Sequence, residues 1–119
     1  MKPLESFQSR SFRFSCAIVR AYTKLAKQRD FPQHLARQVL RSGTSIGANL
    51  EEEKGAHGRK DAAYKVSIAL KEARETTYWL RLLLATDLAP PTLIKPLLQE
   101  ANEFVAMLTV ARRKLNTPE

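Results

Sequence analysis

Apolar residues recur along this chain every three or four positions, the spacing of one helix face. In the first stretch Phe14, Ile18, Ala21 and Leu25 form one row, and Phe12, Cys16, Val19, Tyr22 and Ala26 form a second beside it. In the second stretch Leu35, Val39, Ile46 and Leu50 carry the period, with Ala36, Leu40, Gly43 and Gly47 in the neighbouring row. The third runs through Ala63, Val66, Ala69 or Leu70, Ala73, Thr77, Leu80 and Leu84, and the fourth through Leu93, Leu97, Ala101, Phe104, Leu108, Ala111 and Leu115. No stretch alternates as a strand would, and no Asn-Gly or Asp-Gly hairpin turn occurs.

The breaks fall between these stretches. Asp30-Phe31-Pro32 ends the first, with Asp30 a candidate cap, and Pro32 is tolerated in a first helical turn. Gly55-Ala-His-Gly58 ends the second, where either glycine can take the left-handed conformation, and Pro90-Pro91 separates the third from the fourth. The pattern predicts helices over about 9–28, 32–54, 59–86 and 92–115 in one domain spanning 1–119. With links this short, sequential helices are neighbours, which predicts an all-α, antiparallel up-down four-helix bundle. Gly43 and Gly47 stand inside the second helix, each costing about 1 kcal/mol relative to alanine. Two glycines one turn apart predict a close backbone approach by another helix, or a local bend.

Composition sharpens this picture at few points. The 119 residues are 44% hydrophobic and 27% charged, a globular balance. No apolar run is long enough to span a membrane and the start has no signal-peptide core, so a cytoplasmic protein without membrane contact is expected. The single cysteine, Cys16, excludes an internal disulfide and reads as a small core residue.

Net charge is +8 and unevenly spread. Residues 1–41 hold nine Lys/Arg against two acids, whereas the remainder holds eleven against ten. Arg13, Arg20, Lys24 and Lys27 form a stripe on the first helix, and Arg37 and Arg41, one turn apart on the second, extend it. Such a basic half suits an anionic partner, RNA or DNA first, bound through phosphates without sequence reading. Convergence of these six residues on one open face would favour nucleic acid. Scattering or internal pairing would favour a scaffold that recruits a protein partner, its charge serving solubility.

Specific chemistry is missing from the sequence. His34 and His57 do not form the Glu-x-x-His pairs of a di-metal bundle, and Glu53 with His57 is one weak pair at a helix end. Gly43-Thr-Ser-Ile-Gly47 lacks the Gly-Lys-Ser/Thr ending of a phosphate loop. No enzyme, metal or cofactor is expected. The polar constellation that does stand out is Ser45, Asn49 and Glu52 with Glu72 and Glu75, read as a structural hydrogen-bonded network between the second and third helices or across a subunit boundary.

Ser45, Ile46, Asn49 and Glu52, followed by Ile68, Ala69, Leu70, Ala73, Glu75 and Leu80, carry a resemblance. The chain is similar to the four-helix-bundle family of 23S rRNA intervening-sequence proteins, whose pattern is Ser-Ile-x-x-Asn-x-x-Glu and then Ile-Ala-Leu-x-x-Ala-x-Glu-x-x-x-x-Leu. It departs at Lys71-Glu72, where many members have Gly-Ser, and at Glu53-Lys54, where a glycine often follows the Glu. The resemblance implies a homo-oligomeric ring, a pentamer first, without enzymatic activity. A related branch, the accessory proteins of diversity-generating retroelements, forms basic pentameric barrels that engage nucleic acid and a reverse transcriptase.

Overall fold

Each helix begins and ends where the local chemistry allows. The computed structural model describes residues 5–118 and folds them into α1 (Phe7–Ala26), α2 (Gln33–Glu53), α3 (Arg59–Ala85) and α4 (Pro91–Asn116), with no strand among them. α1 starts earlier than its apolar rows suggest, because the Ser6 hydroxyl accepts the Ser9 amide at 3.1 Å and caps the first turn. Asp30 does not cap α2. It sits at φ 63°, in the left-handed region, and helps turn the chain out of α1, while Pro32 occupies the N-cap position. Of the two candidate glycines, Gly58 alone takes a positive φ, 91°, and it leads into α3 rather than closing α2. α4 opens on Pro91, so Pro96 lies in its second turn, exposed, where it removes one intrahelical hydrogen bond.

The core takes one row from each helix: Phe14, Ile18 and Leu25; Val39, Ile46 and Leu50; Val66, Leu70, Leu80 and Leu83; Ile94, Leu97, Phe104 and Leu108. Phe14 and Phe104 meet with ring centroids 5.6 Å apart, tilted by 58°. On α3 the buried positions are Thr76 and Leu83 rather than Thr77 and Leu84, one residue away from the row read by period. Thr76 satisfies its hydroxyl on the Glu72 carbonyl at 2.8 Å, so a threonine can occupy the interior without an orphaned group. On α1 only the Phe14–Leu25 row is buried. Phe12 is 70% exposed and Val19 44%.

The two glycines of α2 mark where α1 lies closest. A Cβ on Gly43 would stand 2.8–3.0 Å from three carbons of Ile18, and one on Gly47 would stand 3.0 Å from Ser15 Oγ and 3.2 Å from the Ser11 carbonyl oxygen. Small residues on both helices therefore let α1 settle onto α2. α2 packs on α3 and α3 on α4, but α1 and α4 touch only lightly. The molecule is accordingly flattened, 53 × 35 × 22 Å.

Gly43→Ala tests this seam. Alanine gains about 1 kcal/mol in helix propensity, but overpacking against the fully buried, stiff Ile18 costs about 1–3 kcal/mol. A net loss of up to about 2 kcal/mol in urea unfolding is expected, and adding Ile18→Val should return part of it, as residues in contact are coupled.

Candidate nucleic-acid interface

Carboxylates hold two of the six cations singled out by the sequence. Arg13 lies beside the cleft between α1 and α4, and its guanidinium is held by Glu5 through two bonds, Nη2 to Oε1 at 2.6 Å and Nε to Oε2 at 3.2 Å. This pairing holds the Glu5 carboxyl below its usual range. Arg41 turns toward α3, where Nη1 donates to Glu72 Oε2 at 3.2 Å and Nη2 to Glu75 Oε2. Arg20, Lys24, Lys27 and Arg37 are exposed and have no ion-pair partner among the described residues.

Arg20, Lys24 and Lys27 keep their stripe along the C-terminal half of α1, where residues 17–29 contain no acid. Arg37 stands exposed on the first half of α2. Towards the other end of the same helix pair, Phe12 and Ser15 of α1 line a groove of about 440 Å³ with Gly47 and Ala48 of α2. Arg29, in the turn after α1, is one more exposed cation without an ionic partner among the described residues.

The polar constellation divides into three parts. Ser45 Oγ donates to the Arg41 carbonyl at 2.6 Å, and Asn49 Nδ2 to the Ser45 carbonyl at 2.8 Å, so both serve their own helix. Glu52 accepts from Lys65 Nζ at 2.8 Å. Glu72 and Glu75 join through Arg41. Glu72 is buried, and that burial raises its carboxyl pKa despite Arg41, with Glu75 beside it acting in the same direction. Arg41 is the member that sequence spacing could not supply, since it lies thirty-one residues from Glu72.

A second ionic clamp joins α1 to α4. Arg10 donates to Glu100 at 2.8 Å from Nε and 2.5 Å from Nη2, reaches Glu103 at 3.2 Å, and lies 5.5 Å from the centre of the Phe104 ring. It stands in a cleft of about 630 Å³ between the two helices, and its charge is spent on closing it. Among the described residues, no group of three or more His, Cys, Asp or Glu side chains is arranged to hold a metal, and no helix is long and apolar enough to cross a membrane. Glu53 accepts from Gln8 at 3.2 Å, and the exposed His57 donates its backbone N–H to Asp61.

The model of the 23S rRNA-intervening sequence protein family matches residues 4–110. The chain belongs to that family. Among solved structures, a protein of unknown function from the S23 ribosomal protein family of Bacteroides thetaiotaomicron is 36% identical, with a TM-score of 0.82 over 94% of this chain and 100% of that one. No curated protein matches the chain. In this intervening-sequence family member, the residues that carried the resemblance sit on the α2–α3 pair. Ile46, Ala69, Leu70, Ala73 and Leu80 are buried, while Ser45, Asn49, Glu52 and Glu75 border the seam. Those residues belong to the helix pair itself.

The raised Glu72 pKa has a defined consequence. In the folded protein this carboxyl keeps its proton to a higher pH than in the unfolded chain, so its contribution to stability is present at low pH and is lost as pH rises through the shifted value. Glu72→Gln removes that loss. Between about pH 4 and pH 8, the urea midpoint of the variant should rise relative to that of the parent protein. A relative fall would show that Arg41 outweighs burial.

Proposed function

We propose that this family member is a non-enzymatic, basic, oligomeric protein that binds nucleic acid through exposed Lys and Arg side chains. The observation that carries this reading is the set Arg20, Lys24, Lys27 and Arg37, all exposed and without an ionic partner among the described residues. Cations held ready in this way neutralise phosphates and release counterions on binding, with little dependence on sequence. Arg13 and Arg41 are secondary in this reading, because carboxylates already hold them.

The up-down antiparallel arrangement is part of the proposal. It is supported by the order of contacts: Gly43 with Ile18 and Gly47 with Ser11 and Ser15, then Arg41 with Glu72 and Glu52 with Lys65. Numbers rise on one helix as they fall on its neighbour. A homo-oligomeric ring, a pentamer first, is the proposed assembly of this single domain. The exposed Phe12 and Val19 on α1 support it as apolar surface that a second copy would cover. The same residues, together with the internal pairing of Arg13 and Arg41, favour a second reading, an oligomeric scaffold that recruits a protein partner.

Charge reversal on α1, set against binding by the parent protein, tests this reading. Arg20→Glu with Lys24→Glu should weaken RNA or DNA binding by at least about tenfold at low salt, whereas Arg13→Ala should change it little. Binding that survives the double reversal, measured by fluorescence anisotropy, would put the working surface outside α1, whereas no binding by the parent protein at low salt would favour the scaffold.

A further inference from the structure

The outward face of α3 carries a feature that counting charge by halves of the chain conceals. Lys60, Tyr64, Lys71, Arg74, Tyr78 and Arg81 follow one another at steps of three, four or seven residues, so they stand on one stripe of the helix. All six are exposed, Tyr64 by 61% and Tyr78 by 52%. Ser67 completes the stripe, and no acid interrupts it. The acids of α3 point elsewhere: Glu72 and Glu75 are drawn to Arg41, and Asp61 accepts the His57 amide. Lys60, Lys71, Arg74 and Arg81 have no ion-pair partner among the described residues. Two large rings held in solvent between free cations are unusual on a helix that has no need of them for its core.

We infer that this stripe is a binding surface for single-stranded nucleic acid, with Tyr64 and Tyr78 as stacking platforms for bases and the flanking Lys and Arg side chains on the phosphates. Charge complementarity selects a polyanion, and the exposed rings select one whose bases are unstacked, since bases within a duplex are not available to a side chain. The rings lie fourteen residues apart, about 21 Å along the helix, so one strand running along α3 meets both. Each ring also has support. Lys65 Nζ lies 5.8 Å from the centre of the Tyr64 ring, and Tyr78 is stacked on Trp79 with centroids 5.1 Å apart and planes 7° from parallel. Among the described residues α1 and α3 do not touch, so this face is separate from the α1 stripe. The inference rests on the nucleic-acid reading above, but assigns that reading a different surface and a preferred strand state.

Trp79 is the chain's one tryptophan, and its contact with Tyr78 makes it a reporter. Titration of the full chain with oligo(dT) and oligo(U) of about ten nucleotides, followed by Trp79 emission and by anisotropy, should show quenching and a preference for single strands over the matching duplex. Tyr64→Ala with Tyr78→Ala should weaken single-strand binding by about tenfold or more and remove the preference, whereas Tyr64→Phe with Tyr78→Phe should retain both. If the alanine pair binds like the parent while Arg20→Glu with Lys24→Glu abolishes binding, the α1 reading stands and this inference falls. If the alanine pair loses binding and the α1 reversals do not, the α3 stripe is the working surface. Absence of any binding by the parent protein overturns both. A drop in solution mass on changing the two tyrosines also overturns the inference, because it makes the stripe a contact between copies.

Discussion

The closeness of α1 to α2 is the constraint from which the remaining geometry follows. Gly43 and Gly47 have no side chain to hold the helices apart, and Ser11 and Ser15 present little bulk from the other side. At that distance Ile18 fills the space above Gly43 and is completely buried. The helix rotation that seats Ile18 also sends Phe14, Ala21 and Leu25 inward and leaves Phe12 and Val19 at the surface. α1 is thereby committed to α2, and its link to α4 is left to the Phe14–Phe104 contact and the Arg10 clamp on Glu100 and Glu103. The cost of two glycines in a helix interior, about 1 kcal/mol each, is thus offset by the packing they permit.

Carboxylates in this molecule work mostly at seams between helices. Glu72 and Glu75 tie α3 to Arg41 of α2, Glu52 ties α2 to Lys65 of α3, and Glu100 and Glu103 tie α4 to Arg10 of α1. These ties use three cations, Arg10, Arg41 and Lys65, of the twenty in the chain. Arg20, Lys24 and Lys27 on α1 and Lys60, Lys71, Arg74 and Arg81 on α3 are exposed, without an ion-pair partner among the described residues. A net charge of +8 is therefore a measure of what the seams leave over rather than of any one patch.

Helix number and the breaks between helices were legible because the period of apolar residues and the Pro and Gly positions point to the same places. The identity of the buried row was less so. α1 has two apolar rows of similar length, and only the partner helix decides between them. On α3 the shift from Thr77 to Thr76 and from Leu84 to Leu83 has the same origin, since threonine and leucine occur at both neighbouring positions. The direction of Arg41 could not be read either, because its partners lie thirty-one and thirty-four residues away. The α3 stripe was present in the sequence as the spacing of Lys60, Tyr64, Lys71, Arg74, Tyr78 and Arg81, but the near-balance of eleven cations and ten acids after residue 41 hid it in the total.

Affinity for a single-stranded RNA across a series of salt concentrations tests most directly whether these unpaired cations serve a polyanion. If they do, the logarithm of the affinity falls linearly with the logarithm of the salt concentration, by about 0.7 for each phosphate neutralised, so the slope reaches several units. A flat line, or no binding at the lowest salt, would contradict a nucleic-acid role and leave the outward charge to solubility.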